Sequence, residues 1–232
     1  MCTVTFLPLN ENEFILTSNR DETPLRETIP PKKYDENGIE MLFPKDKLAG
    51  GTWIGVSEKK RLVCVLNGGF IKHKRKPNYA KSRGVLAKEI LSSDCFEKCI
   101  ANFDLEGVEP FTMVIVDWNQ ELSLFELIWD EKEQYFTKLP QLPKIWSSST
   151  LYSDEMKEIR KSWFNEWSRI KDFSSENILK FHHLEKGDKE QTIFMKRPNV
   201  ETVSITSVKK EENQIEMDYE DIVNSSKTSI LF

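Results

Sequence analysis

The sequence predicts an α+β fold, and three observations predict it. Its 232 residues are enough for one domain with a sizeable core. Hydrophobic periodicity runs strands, two helices, strands, two helices, strands, which is not the strict alternation of a parallel α/β protein. The run Met113 to Val116 is apolar on both faces, as expected of a strand interior to a sheet. Two sheets with helices outside each satisfy this order, and we expect one domain over residues 1–232.

The elements follow in turn. Cys2 to Leu7 is β-rich, "NENE" is a turn and Phe14 to Thr17 is the return strand, a hairpin that brings Asn19 to Glu22 back beside Cys2. "ETPLRETIPPKKYDENG" reads as a surface loop. "GGTWIGVS" and "RLVCVLNGG" are strands around the charged turn "EKK". "SRGVLAKEILSS" and "DCFEKCIANF" carry helical spacing, with Ser82 and Asp94 as caps. In the second of these, Cys95 and Cys99 share one face and read as buried small hydrophobes.

A second block of strands covers "PFTMVIVDW", "ELSLFELIWD", "EQYFTKLP" and "KIWSSS". "SDEMKEIRKSWFNEWSRI" is the clearest helix, capped by Ser153, with Asp154 and Glu155 in its first turn and Met156, Ile159, Trp163, Trp167 and Ile170 on one face. "SSENILKFHHLEK" is a shorter helix, on which His182 and His183 read as ordinary, partly exposed residues. His73 lies in a basic loop and reads the same way. "VETVSITSV", the turn "KKEEN" and "QIEMDYED" close the chain as a hairpin.

Composition narrows the function. A net charge of −5 argues against nucleic acid as the main partner. No apolar run is long enough to span a bilayer, and the N-terminus lacks the basic and apolar regions of a secretory signal, which points to the cytosol. Four cysteines without a C-x-x-C pair give no support for a metal site, and no motif calls for a cofactor. The expected partner is a small-molecule substrate or ligand.

Cys2 follows the initiator methionine, and loss of Met1 would make it the first residue. Its α-amino group, with an ordinary pKa of about 8, would then serve as a base held covalently beside the thiol. Such chemistry needs a carboxylate for the ammonium form, a partner for the thiolate and donors for an oxyanion. "NRDE" offers Asn19, Arg20, Asp21 and Glu22 where the hairpin delivers them. Asn67 offers an amide before Gly68, whose backbone can approach a ligand closely. Each has a plainer reading: Cys2 as a chance residue on an edge strand, Arg20 with Asp21 and Glu22 as a surface ion-pair cluster, Asn67-Gly68 as a hairpin turn.

"MCTVTF", "SNRDE", "GGTWIGV", "VLNGG", "SRGVL" and "PFTMVIVD" appear in that order and resemble the NRDE family, also called the transport and Golgi organisation protein 2 family. Weaker matches continue in "WSSSTL" and "MKRPNVETVSI". The family is similar to the cysteine-type N-terminal nucleophile hydrolases that include penicillin V acylase and bile salt hydrolase. The resemblance implies a four-layer αββα sandwich with antiparallel sheets. It also implies amide hydrolysis or acyl transfer by Cys2 after loss of Met1, with Asp21 binding the α-ammonium, Asn67 in the oxyanion hole and Arg197 a late arginine near the site.

This chain departs from that pattern at three points. Where the acylases carry an arginine three positions before the aspartate, it has Ser18, and Arg20 is instead adjacent to Asp21, on the opposite side of a strand unless a bulge intervenes. In "WSSSTL", Ser148 stands where relatives carry an asparagine, a shorter group for the oxyanion. A retained Met1 would block the amine.

A second function remains open. Members of the family are connected with lipid, acyl-coenzyme A and haem handling, which implies a non-catalytic binding protein for a hydrophobic or acyl-linked metabolite. The run "KHKRKPNYAKSR", with Lys72, Lys74, Arg75, Lys76, Lys81 and Arg83, could meet phosphates or carboxylates at the mouth of the site, or could simply be solvated.

Overall fold

The computed structural model describes residues 3–170 and 172–232. Its contacts divide the chain into two compact units, one holding the residues up to Arg26 together with Gln141–Phe232, the other Glu27–Pro140.

The first unit carries a six-stranded antiparallel sheet. In chain order its strands are β1 (Thr3–Pro8), β2 (Phe14–Glu22), β10 (Lys144–Ser147), β11 (Glu201–Glu211), β12 (Gln214–Asp221) and β13 (Ser226–Leu231), and in space they run β10-β1-β2-β11-β12-β13. The predicted N-terminal hairpin is present, with Thr3 opposite Asn19 and Pro8 opposite Phe14. Its return strand is longer than expected: β2 continues to Glu22 because β11 pairs along it, so "NRDE" is strand and not a turn beyond one. Helices α3 (Asp154–Ser168) and α4 (Ser175–His182) pack on this sheet. Between them and the sheet lie Leu7, Ile15, Phe164, Ile178, Phe181 and Ile193.

Ser153 caps α3 as predicted, accepting from the Met156 N–H. The inward stripe of α3, however, is turned by one residue. Arg160 and Phe164 are its buried positions, whereas Ile170 lies past the helix end and is 73% exposed.

The second unit is a seven-stranded antiparallel sheet whose spatial order is its chain order: β3 (Thr28–Glu36), β4 (Ile39–Asp46), β5 (Ile54–Ser57), β6 (Arg61–Asn67), β7 (Phe111–Asp117), β8 (Ser123–Trp129) and β9 (Gln134–Leu139). Met113 to Val116 are buried in interior β7, as expected. The expected surface loop is instead the β3–β4 hairpin. Asn37 (φ 58°) and Gly38 (φ 82°) form its two-residue turn, the geometry that twisted hairpins require and that this residue pair adopts most readily. Pro30 and Pro31 are tolerated because β3 is an edge strand and its register slips between Ile29 and Lys32.

Strands β7 to β9 extend this sheet and do not begin a second one, so the N- and C-terminal strands pair with each other. The last strand, β13, has no counterpart in the sequence reading.

Helices α1 (Arg83–Ser92) and α2 (Phe96–Ala101) lie across β5 and β6 through α1, with Leu86, Ile90, Leu91, Phe96 and Ile100 in the core. Ser82 caps α1. Asp94 does not cap α2. The cap residue is Cys95, which is exposed, while Cys99 is half-buried and Asp94 pairs with Lys59 at 2.6 Å. The cysteines of α2 are therefore not a buried pair.

Gly84 admits α1 against the segment before β5: a Cβ there would stand 2.7 Å from the Thr52 carbonyl oxygen and 2.9 Å from its nitrogen. Backbone cannot yield as a flexible side chain can, so overpacking of about 1–3 kcal/mol outweighs the gain of up to about 1 kcal/mol in helix propensity. Gly84→Ala is expected to lower the urea midpoint with an unchanged m-value; a raised midpoint would contradict this packing.

Candidate active site

The sequence motif "NRDE" is placed by strand alternation along β2. Asn19 and Asp21 face the α4 side, Arg20 the other. Asp21 is 3% exposed; one of its oxygens accepts from Thr202 Oγ1 at 2.7 Å and the other from Tyr152 Oη at 3.3 Å. Thr202 also accepts the Met195 N–H at 2.9 Å, which fixes its hydroxyl. The register of β2 with β11 shifts between Thr202 and Ser204, so an irregularity does sit at Asp21 and Arg20, on the partner strand. Arg20 is 4% exposed and donates to the Arg26 carbonyl at 3.2 Å. Glu22, half-buried, pairs with Arg26 at 3.1 Å. The burial of Arg20 and Asp21 excludes a surface ion-pair cluster.

Asn19 is held on every polar atom. Its amide donates to the carbonyls of His182 (3.0 Å) and Ile193 (3.1 Å), and its oxygen faces His182 Nδ1 at 2.6 Å. Carbonyls only accept, so the amide orientation is fixed, His182 Nδ1 must carry the proton and Nε2 accepts from Thr5 Oγ1 at 2.8 Å. His182 is fully buried, not partly exposed as its sequence suggested, because the end of α4 turns it onto β1 and β2. Burial, and then the Arg160 guanidinium and His183, push its pKa down to about 3. His183 pairs with Glu220 at 2.7 Å.

Arg160 is 0% exposed. It donates to Ser147 Oγ (2.9 Å), to the carbonyls of Gln191 (3.0 Å) and Thr192, and to Thr3 Oγ1. Its guanidinium carbon lies 3.9 Å from the centre of the Tyr152 ring, and that of Arg197 lies 5.4 Å from it. Arg197 also pairs with Glu190 at 3.0 Å and donates to the Leu151 carbonyl. Ser148, 1% exposed, follows β10 directly, and its hydroxyl meets Thr150 Oγ1 at 2.8 Å. Among the sequence candidates, this unit thus gathers Asn19, Arg20, Asp21, Glu22, Ser148 and Arg197. Cys2 lies outside the described residues; its chain neighbour Thr3 heads β1.

Asn67, Gly68 and Arg83 come together in the other unit. Asn67 ends β6 opposite Phe111 and is half-buried. Gly68 (φ 86°) and Arg83 both donate to the Pro110 carbonyl, at 3.0 and 3.3 Å. Asn67-Gly68 is no hairpin turn, because both helices intervene before β7. Arg83 pairs with Glu109 at 3.0 Å, and His73 with the same carboxylate at 3.2 Å. Lys76 pairs with Glu131 and Lys81 with Glu89, which neutralises half of the basic run.

Sequence reasoning missed Thr202, Tyr152, Arg160 and His182. Arg160 carried a signal, since it sits four residues from both Met156 and Phe164 on an apolar stripe. Among the described residues, no group of three His, Cys, Asp or Glu converges as metal ligands would, and no helix is long and apolar enough to cross a membrane.

Solved structures share this fold. A variant of the conjugated bile acid hydrolase of Clostridium perfringens matches with a TM-score of 0.57 at 11% identity, over 99% of this chain and 92% of that one. Penicillin V acylase of Agrobacterium tumefaciens matches with 0.59 at 10% identity, over 99% and 86%. The N-acylethanolamine-hydrolyzing acid amidase ortholog of Caenorhabditis elegans matches with 0.56 at 12% identity, over 89% and 92%. At these identities the likeness shows the fold, the α+β sandwich of the N-terminal nucleophile hydrolases. No curated protein sequence matches. Residues 1–230 match the family model described as Transport and Golgi organisation 2, and the chain belongs to that family.

Proposed function

We propose that the chain acts as one functional domain, a cysteine N-terminal nucleophile hydrolase or acyltransferase of the cytosol working on a small amide or acyl compound. The observation that carries this reading is Asp21: a carboxylate 3% exposed, fixed by two hydroxyls, two residues along β2 from the partner of Thr3. A carboxylate held at that place is a suitable anion for the α-ammonium of Cys2, since an opposite charge favours the protonated amine. Three structural neighbours carry names of amide-cleaving enzymes, which supports the reaction class.

After loss of Met1, the Cys2 amine takes the thiol proton and the sulfur attacks the substrate carbonyl. The ammonium returns that proton to the leaving amine, forming a thioester, which water or an acceptor then cleaves. In this scheme Asp21 holds the ammonium, Ser148 is an oxyanion donor, and Arg20 or Arg197 steadies the charge. The test is acylation of the protein by a panel of small amides and thioesters, followed by mass. Cys2→Ala is expected to abolish it, and full acylation of that variant would sink the proposal.

The binding reading keeps one specific observation. Lys72, Lys74 and Arg75 are exposed and make no ion pair among the described residues. Ligand binding that survives Cys2→Ala and fails on reversal of these three charges would favour it.

A further inference from the structure

We propose that the loop after β6 is a docking surface for an anionic membrane: Phe70 and Ile71 enter the headgroup region of the bilayer while Lys72, Lys74 and Arg75 meet the charged groups of its lipids. The proposal goes beyond the reaction at Cys2 and does not depend on it.

Two kinds of side chain stand in the open at one place. Apolar residues scattered singly over a surface need no explanation, but Phe70 (48% exposed) and Ile71 (73%) are consecutive, and Phe70 meets exposed Tyr135 edge-on with 5.0 Å between ring centres. They form a small apolar patch. Lys72, Lys74 and Arg75 follow at once, all exposed and, among the described residues, without an ion pair.

The loop is tied down from within. His73 turns inward to Glu109 at 3.2 Å, the Lys76 N–H donates to Tyr79 Oη at 2.8 Å, and the Lys76 ammonium pairs with Glu131. Gly69, just before it, lies so close to the end of β8 that a Cβ would stand 2.9 Å from the Trp129 carbonyl oxygen. Anchors at Gly69, His73 and Lys76 leave the residues between them on the outside.

The charge balance selects the partner. The chain as a whole carries −5, yet the carboxylates that the loop touches are already answered, Glu109 by Arg83 and Glu131 by Lys76. Three cations are left beside the apolar patch. A free anion or a nucleic-acid backbone would use the cations and leave Ile71 in water, whereas an anionic bilayer uses both, because interfacial binding adds apolar burial to attraction by the headgroups.

The test is co-sedimentation of the purified full chain with vesicles of phosphatidylcholine alone and of phosphatidylcholine with about a third phosphatidylserine. Binding is expected on the anionic vesicles, at least about tenfold tighter than on the neutral ones, and is expected to weaken as salt is raised. Each basic residue is expected to contribute about fivefold, so Lys72→Gln/Lys74→Gln/Arg75→Gln should bind about a hundredfold more weakly. Ile71→Ser keeps every charge and should bind about tenfold more weakly, with an unchanged urea midpoint. Equal sedimentation with both kinds of vesicle overturns the proposal, as does a triple variant that binds like wild type. Wild-type binding by Ile71→Ser also overturns it, because the attraction would then be to charge alone. Release of bound protein by inorganic phosphate at constant ionic strength identifies a site for a free anion and overturns it too. Failure on any of these leaves the Cys2 chemistry untouched, since no residue of the loop is assigned to it.

Discussion

Asp21→Asn is expected to slow acylation of Cys2 by about a hundredfold or more, the scale on which loss of a group that manages a catalytic proton is felt. The replacement keeps the shape of the side chain and removes only its charge, so the Cys2 ammonium would lose its counter-ion while the fold persists. Thr202 and Tyr152, which donate to Asp21, are hydroxyls that can accept as well as donate, and the stability cost of losing the charge at these two contacts is accordingly about 1 kcal/mol. Thr202→Val is the control. It deletes the hydrogen bond to Asp21 and the one the Met195 N–H donates to the same hydroxyl, and leaves the carboxylate, with an expected effect on acylation under tenfold. An Asp21→Asn rate within twofold of wild type would show that the carboxylate takes no part in the chemistry.

A second large effect is a pH dependence of stability that belongs to His182. Its pKa of about 3 in the folded protein lies far below the ordinary value of 6.5. Between those values the unfolded chain binds a proton that the folded one refuses, so stability is full above about pH 6.5 and declines as pH falls toward 3. The slope reaches about 1.4 kcal/mol per pH unit for one such group. His182→Gln removes the titration and keeps a hydrogen-bonding side chain, so its stability is expected to be flatter between pH 5 and 6.5 in urea unfolding. Parallel curves for wild type and variant would contradict the buried neutral imidazole. The effect reaches the candidate site because His182 holds Asn19, two residues before Asp21.

Much of this architecture is legible in the sequence where one physical cue dominates. Ser82 and Ser153 mark helix starts because a hydroxyl must answer free N–H groups, and both do. Met113 to Val116 declare an interior strand. The β3–β4 hairpin was hidden because Pro30 and Pro31 spoke for a loop, and their tolerance depends on the edge position and the register slip, which are tertiary facts. Sheet membership was hidden for the same reason: nothing local says that β11 pairs with β2 across most of the chain.

At the site, the "NRDE" residues were visible as chemistry but their partners were not. Tyr152 and Thr202 lie more than a hundred residues from Asp21, and although Thr202 falls within "MKRPNVETVSI", nothing local to either residue pairs it with that carboxylate. His182 beside His183 looks like a polar pair at a helix end, and only packing on β1 and β2 makes one of them a buried neutral imidazole. Arg160 was the readable exception, a cation at the spacing of a core residue.

If Cys2 becomes the first residue and carries its own base, the intact mass of the protein purified from its native host lacks one methionine, which leaves a free amine on the residue that bears the thiol. A mass that retains Met1 would contradict this reading, because a blocked amine can neither take the thiol proton nor bind Asp21 as an ammonium.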